Sequence, residues 1–142
     1  MPDPKIIQFP LGLTENLQYH YTKVVVSSAE ILALNSVPKT LVAAPGAGYL
    51  LMPIGIVIDY DYGTITYATN TDLALTNDSG DEIRKVDNVL TQVADFTSMG
   101  VVPLFPATGR KNESLKLRVN TGDPTAGNGT LTVYLWYINL EL

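Results

Sequence analysis

The sequence predicts an all-β protein, a jelly-roll-like β-sandwich of about eight strands with one short helical insertion. Two observations predict it. Segments of alternating or continuously apolar residues, rich in β-branched and aromatic side chains, recur along the 142 residues. Clusters of glycine, proline and asparagine separate these segments at intervals of about ten residues, which is the spacing of sandwich and barrel folds. The length suits one domain, and eight strands with long connections fit the two Greek keys of a jelly roll.

Residues 1–16 are predicted to form an extended N-terminal arm, and residues 17–142 a single β-sandwich domain. Several prolines disfavour a helix in the arm. The apolar side chains of Ile6, Ile7 and Phe9 would gain free energy from burial. We therefore expect these three residues to contact a partner or a neighbouring subunit.

The centre of the chain is predicted to be a hairpin. The Pro-Gly pair at 45–46 has the backbone preferences of a tight turn. A short strand starting at Thr40 precedes this turn, and an almost wholly apolar strand at 49–58 follows it, as expected for a strand in the core. Pro53 cannot donate to a ladder and Gly55 has no side chain to pack, so a bulge or an edge position is expected there.

The remaining elements follow from capping signals and from periodicity. Ser27 and Glu30 have the spacing of a capping box, which predicts a helical turn at 30–34. Apolar residues three and four positions apart predict one longer helix at 83–96. The other strands are predicted at 17–26, 64–69, 73–76, 101–105, 114–119 and 130–140.

Charge and hydropathy exclude two classes of partner. With a formal net charge of -5, the chain would repel a phosphate backbone, so we expect no nucleic acid. The N-terminus lacks the apolar core of a signal peptide, and no apolar run approaches the ~18 residues of a membrane span. We therefore expect a protein that is made in a cytoplasm and binds no membrane.

No pattern in the sequence predicts catalysis, a bound cofactor or a metal site. The glycines at 46 and 48 are followed by a strand, whereas a dinucleotide site needs a helix there. The acidic turn at 77–82 would place apolar residues at the first and last positions of a calcium loop. His20 is the only histidine, and no serine lies in a nucleophile elbow. We therefore expect no catalytic, cofactor-binding or metal-binding residues and no enzymatic activity.

Positive charge gathers late in this otherwise acidic chain. Arg110 and Lys111 lie in a predicted loop, while Lys116 and Arg118 alternate along the strand that follows. The cluster is either a solvated face or an anchor for an acidic partner surface. Arg110 and Lys111 are therefore candidate partner contacts.

Aromatic side chains crowd the last predicted strand. Tyr134 and Trp136 share one face of it, and Tyr137 points to the other. Core packing accounts for one face, whereas aromatic residues on the second face suit a protein interface or a platform for stacking sugars. Tyr134, Trp136 and Tyr137 are therefore candidate partner-binding residues. Because apolar side chains on both faces exceed what one core needs, we expect the chain to self-associate.

Residues 24–76 contain a succession of motifs that points to a family. They are Ser28-Ala-Glu-Ile-Leu-Ala-Leu-Asn35, Thr40-Leu-Val-Ala-Ala-Pro-Gly-Ala-Gly48, an apolar strand, Asp61-Tyr-Gly63 and Thr71-Asp-Leu-Ala-Leu75. This succession resembles small structural proteins of tailed bacteriophages, above all the head decoration or cement proteins.

The resemblance implies a β-sandwich subunit, commonly a homotrimer, that binds the outer surface of a phage head and stabilises it. Its partner would be the major capsid protein, and its location the exterior of the virion after synthesis in the host cytoplasm. A receptor-binding or carbohydrate-binding module of a phage tail or fibre is the alternative. Such a module would use Tyr60, Tyr62 and the aromatic residues at 134–137 to stack on sugars.

Overall fold

The structure, a computed structural model, describes residues 7–8, 14–15, 19–102 and 109–142. Within these ranges the chain forms ten strands and one short helix. In chain order the elements are β1 (Ile7–Gln8), β2 (Thr14–Glu15), β3 (Tyr19–Val26), α1 (Ser28–Ile31), β4 (Lys39–Val42), β5 (Tyr49–Asp61), β6 (Leu73–Thr76), β7 (Glu82–Val86), β8 (Phe96–Val101), β9 (Leu115–Val119) and β10 (Thr130–Glu141).

Strands β3 to β10 form two four-stranded antiparallel sheets that share one core. One sheet has the order β3-β10-β5-β8 and the other the order β4-β9-β6-β7. The pairing is nested, because β3 pairs with β10, β4 with β9, β5 with β8 and β6 with β7. An antiparallel ribbon wound into two sheets in this way is a jelly roll. The predicted all-β, jelly-roll-like sandwich is therefore confirmed.

Two described segments lie within the predicted arm. Strand β1 pairs antiparallel with β2, and Ile7 lies opposite Glu15. Ile6 and Phe9 lie outside the described residues. The arm therefore contains a strand pair of its own, separate from the two sheets of the sandwich.

Helix α1 begins at the capping box that the sequence predicted. The Ser27 hydroxyl accepts a hydrogen bond from the N–H of Glu30 at 3.3 Å, and the Glu30 carboxylate accepts one from the N–H of Ser27 at 2.8 Å. Lys39 at the start of β4 forms an ion pair with Glu30. The hydrogen bonds from Lys39 and Ser27 lower the pKa of Glu30 to about 2. The helix is a single turn as predicted, but it begins at Ser28.

The predicted helix at 83–96 is wrong. The chain instead forms β7 and, after a loop, β8. Asn88 has a positive φ of 63°, which is incompatible with a right-handed helix. Of the residues that formed the helical spacing, Val86 at the end of β7 and Leu90 in the loop are buried in the core, whereas Val93 is 72% exposed. The helix-like period therefore joins residues of a strand and a loop without a helix.

The predicted strand at 64–69 is also wrong. In the structure this segment makes one isolated bridge, between Ala68 and Thr125. Thr69 has a positive φ of 47°, which interrupts an extended backbone. The strand predicted at 101–105 is displaced toward the N-terminus, because β8 already ends at the first of those residues. Most of that segment lies outside the described residues.

The long strand β5 carries the bulge that the sequence predicted. In its pairing with β10, Gly55 lies opposite Trp136 and Pro53 lies opposite Tyr137, so Ile54 is an extra residue. The bulge therefore occurs between the two residues that were expected to disturb the strand.

The core lies between the two sheets. Its fully buried side chains from β5, β6, β9 and β10 include Ile58, Leu73, Leu75, Leu117, Leu131, Val133 and Leu135. At the open edge of the sandwich, the Arg84 guanidinium of β7 donates a hydrogen bond to the carbonyl oxygen of Val101 in β8. This contact joins the two sheets where no strand pairing does.

Two core tyrosines differ in how their hydroxyl groups are satisfied. The Tyr67 hydroxyl donates to the carbonyl oxygen of Gly129 at 2.7 Å. The Tyr60 hydroxyl is buried and has no hydrogen-bond partner among the described residues. Burial raises the pKa of both side chains, that of Tyr67 to about 12.

We expect Tyr67→Phe to lower the free energy of unfolding by about 1 kcal/mol, because a satisfied hydrogen bond is lost and a buried carbonyl loses its partner. Tyr60→Phe removes a hydroxyl that gains nothing in the folded state, so it should leave the stability unchanged or raise it. Thermal melting of the two variants beside the parent protein measures the difference. A larger loss for Tyr60→Phe would contradict this assignment.

Candidate functional site

The outer face of the β3-β10-β5-β8 sheet is unusually apolar. Along each strand the side chains that do not enter the core point to this second face. We call it the apolar sheet face. Its apolar members are Tyr19, Tyr21 and Val25 of β3, Tyr134 and Trp136 of β10, Val57 of β5, and Met99 and Val101 of β8. Lys23 also lies on this face, and the row beside it, which starts at Val25, continues through Thr132, Asp59 and Thr97.

Cross-strand pairing arranges these residues in rows. One row runs from Tyr21 through Trp136 and Gly55 to Val101. The Tyr21 and Trp136 ring centroids are 5.4 Å apart. Gly55 has no side chain, and the Trp136 ring lies over the space it leaves, 3.9 Å from where a Cβ would be. The indole therefore reaches across β5 toward the edge strand β8.

The neighbouring row runs from Lys23 through Tyr134 and Val57 to Met99. The Lys23 ammonium group lies 5.7 Å from the centroid of the Tyr134 ring, a cation–π contact. Tyr21 stacks on Tyr134 with a centroid distance of 6.2 Å, which links the two rows. The rows form one continuous surface across all four strands.

Much of this apolar surface is exposed. The exposed fractions are 54% for Tyr21, 38% for Trp136 and 76% for both Met99 and Val101. With Tyr19 and Val25, these side chains present on the order of 700 Å² of accessible surface, above the few hundred Å² of an ordinary monomer patch. Ile138, which lies opposite Tyr19, is only 5% exposed, so the face is open at its two central rows and covered beside Tyr19.

Tyr137 lies on the other side of β10. It is partly buried against the core, and its ring stacks on that of His20 with a centroid distance of 5.2 Å. The only histidine of the chain is therefore held by an aromatic contact within the sheet.

The tyrosines at positions 60, 62 and 67 do not form a comparable surface. Tyr60 is fully buried, Tyr67 is 2% exposed, and Tyr62 is packed against the core. Tyr60 contacts both of the others, with centroid distances of 6.4 Å. These residues stabilise the fold. Because Tyr60 is fully buried, its ring cannot stack on an external sugar.

Two of the four cations in the late basic cluster lie close to carboxylates of their own chain. The Lys116 ammonium is 2.7 Å from an Asp78 oxygen, and Arg110 forms an ion pair with Asp81 at 2.5 Å. Lys116 and Ser114 lower the pKa of Asp78 to about 2. The Arg110 guanidinium lowers the pKa of Asp81. Much of the positive charge expected on this surface is therefore balanced locally.

The turn between β6 and β7 and the segment before β9 are tied together by these carboxylates. Asp78 accepts hydrogen bonds from the N–H of Ser114 at 2.7 Å and from its hydroxyl at 2.6 Å. Glu113 accepts one from the N–H of Ser79 at 3.0 Å. The acidic turn at 77–82 therefore serves as a clamp between loops. Among the described residues, no group of three or more His, Cys, Asp or Glu side chains could hold a metal ion.

The start of β3, the end of β10 and the basic loop at 110–111 lie at the same end of the sandwich. Tyr19, where the sandwich begins, lies opposite Ile138 near the end of β10. The Lys111 ammonium donates to the carbonyl oxygen of Leu142 at 3.3 Å, and the N–H of Asn112 donates to that of Tyr49. We call this end, with residues 46–49, 77–81, 109–114 and 142, the arm end. Lys111 therefore lies beside the end of β10, the strand whose Ile138 pairs with Tyr19.

Sequence reasoning identified only part of the apolar sheet face. Tyr134 and Trp136 were predicted from their crowding in β10, whereas Met99 and Val101 were missed. The incorrect helix at 83–96 concealed β8, so its outward-facing residues could not be assigned to a sheet. In the described ranges, no helix is long and apolar enough to cross a membrane.

The fold is similar to that of two solved chains. One belongs to a structure described as the cyanophage Pam1 capsid asymmetric unit, with a TM-score of 0.52 and 14% identity over 97% of this chain and 99% of that chain. The other belongs to the capsid of Ralstonia phage GP4, with a TM-score of 0.42 and 14% identity over 87% of this chain and 84% of that chain. No protein-family model and no curated protein matches the sequence. At this identity the Pam1 likeness shows a shared fold that extends from end to end.

Proposed function

We propose that this chain is a virion structural protein, a decoration or cement protein that binds the outer surface of a phage head and stabilises it. The observation that carries the proposal is the end-to-end similarity of fold to a chain of the Pam1 capsid asymmetric unit. The match covers nearly all of this chain and of that chain, so both sheets of the sandwich are included in the likeness. The motifs at 24–76, which resemble decoration proteins, point to the same role.

The surface chemistry supports an architectural role over a catalytic one. The apolar sheet face offers contact area, and the carboxylates of Asp78 and Asp81 are engaged in loop contacts and ion pairs. A net charge of -5 suits an outer surface that has no contact with packaged nucleic acid. We therefore place the protein on the capsid exterior, with the major capsid protein as its partner and no enzymatic activity.

We propose that the arm end faces the capsid. Tyr19, the first described residue of the sandwich, pairs with Ile138 at this end, and Lys111 contacts Leu142 there. We propose that the N-terminal arm, with Ile6, Ile7 and Phe9, meets the capsid beside Arg110 and Lys111. Arg110 and Lys111 would form the polar rim of that contact, and the arm residues its apolar centre. Copies of the chain would associate, with three copies favoured by the resemblance to decoration proteins.

The alternative is a receptor- or carbohydrate-binding module of a tail or fibre. Trp136, which is exposed and lies between Tyr21 and Gly55 in its row, favours this alternative, because sugars bind to such rings. Binding of the isolated protein to a glycan array, without binding to capsids, would establish this alternative in place of the decoration role.

Deleting residues 1–16 should weaken binding to undecorated capsids about tenfold. Burial of three apolar side chains contributes ~1.5 to 3 kcal/mol each, and the cost of ordering the arm offsets most of this gain. Co-sedimentation with undecorated capsids measures the affinity, and thermal melting shows whether the sandwich still folds. The charge variant Lys85→Ala, on an exposed ion pair of β7, is the control that should bind normally. Absence of capsid binding by the full chain would refute the proposed function.

A further inference from the structure

We propose that the apolar sheet face is the surface through which copies of this chain associate, so that its occupant is a second copy. Self-association is part of the proposed function. The inference takes only the number of copies from that function. What is added is the surface and the residues that form it.

The composition of the face is that of an interface core. Its two central rows contain Tyr21, Trp136, Tyr134 and Met99, with Lys23 at one end as the only charged side chain. Aromatic residues and methionine are enriched, and charged residues depleted, at the centres of interfaces. A sugar site would need several convergent polar groups, which these rows lack.

The area also fits a pair of copies. One face presents on the order of 700 Å² of accessible surface, so two faces buried together remove about 1,400 Å², within the range of stable specific interfaces. Apolar faces of four-stranded sheets can pack against each other, as they do inside a sandwich. The face is thus large enough to hold two subunits together without other contacts.

The other sheet shows that the apolar face is not a general property of this sandwich. The outer positions of β9 carry Lys116 and Arg118, and Arg118 and Lys85 flank the buried Ala74 of β6. Charged side chains thus shield that sheet from water in the usual way. On the β3-β10-β5-β8 sheet, the charged side chains of Lys23 and Asp59 lie at one end of a central row and in the row beside it, so among the described residues most of the two central rows has no such cover. A second copy is the partner that is present whenever this chain has folded.

The test uses the full chain and a variant with Met99→Glu and Val101→Glu. Both side chains are exposed on the edge strand β8, so the variant should fold with an unchanged melting curve. In an associated pair, the new carboxylates of the two copies would repel each other across the interface. Val93→Glu is the matched control, because Val93 is 72% exposed and lies in the loop before β8. Sedimentation velocity should show an oligomer for the full chain and the control. The variant should associate at least about a hundredfold more weakly.

A second readout follows from the single tryptophan. Trp136 lies within the face, so its fluorescence emission should shift to shorter wavelength as the full chain and the control associate. The emission of the variant should stay constant over the same concentrations. A full chain that is monomeric with constant emission, or an oligomer that the variant leaves intact, overturns the inference.

Capsid binding separates this inference from the proposed function. If Trp136 emission shifts only when undecorated capsids are added, the face contacts the capsid, so the inference fails and the proposed function stands. If the free chain associates through the face but no capsid binds it, the inference stands and the proposed function fails.

Discussion

Gly127→Ala should destabilise the protein by about 3 to 5 kcal/mol, lowering its melting temperature by about 10 to 15 °C. Gly127 has a φ of 90°, which costs any other residue about 1 to 2 kcal/mol. Its surroundings add a larger penalty, because a Cβ there would fall on the ring of Tyr67. That ring is buried and held by its hydroxyl bond to Gly129, so it has little freedom to move.

Gly48→Ala is the matched control for this prediction. Gly48 has a similar φ of 86°, but nothing lies within 4 Å of the position that a Cβ would take. It should therefore show the backbone cost alone, about 1 kcal/mol. Equal melting temperatures for the two variants would mean that the Tyr67 ring does not pack against Gly127.

Asp78→Ala should lower the free energy of unfolding by about 2 to 3 kcal/mol at neutral pH. The substitution leaves the N–H and hydroxyl of Ser114 without their acceptor and Lys116 without its partner. Ser114 is 5% exposed, so water cannot fully replace the lost bonds. Asp87→Ala is the control, since its ion pair with Lys85 is exposed and contributes little. Chemical denaturation of both variants gives the two values.

The same carboxylate predicts how stability depends on pH. The folded pKa of Asp78 is about 2, below its ordinary value of 3.8, so the charged form is favoured by folding. Its contribution is complete above pH ~4 and is lost as the pH falls toward 2. Because the side chain is 37% exposed, solvent screening reduces this contribution to about 1 kcal/mol. The gap in stability between the parent protein and Asp78→Ala should therefore narrow below pH ~4, and a constant gap would contradict the ion pair.

Several strands were predicted from the sequence with nearly correct bounds. Strand β6 has the predicted bounds, and β9 and β10 lie within one residue of theirs. In β9, alternation of apolar and charged residues is dictated by the pleat, so the pattern is local. The capping box at Ser27 is likewise a local signal, formed by side chains three residues apart.

The failures occurred where distant residues decide the conformation. Val89 and Leu90 are buried because they reach the core from a loop, and that depends on how the two sheets are placed. Residues 64–69 are held by contacts with the β9–β10 connection, such as those of Asn128 with the N–H groups of Thr64 and Ile65. No local pattern encodes these partners. For the same reason Met99 and Val101 could not be joined to Trp136 until the order of the strands was known.

The position of the chain ends has a mechanical consequence. Strands β3 and β10 are antiparallel neighbours, and Tyr19 and Leu142 lie at the same end of that pair. A pulling force applied between Tyr19 and Leu142 would load the hydrogen bonds between β3 and β10 one after another. Each bond would then break singly at low force. A force directed across the sheets would load many contacts at once and meet far greater resistance. A subunit that must resist tension is therefore better anchored through its sheet faces and one terminus than stretched between both termini.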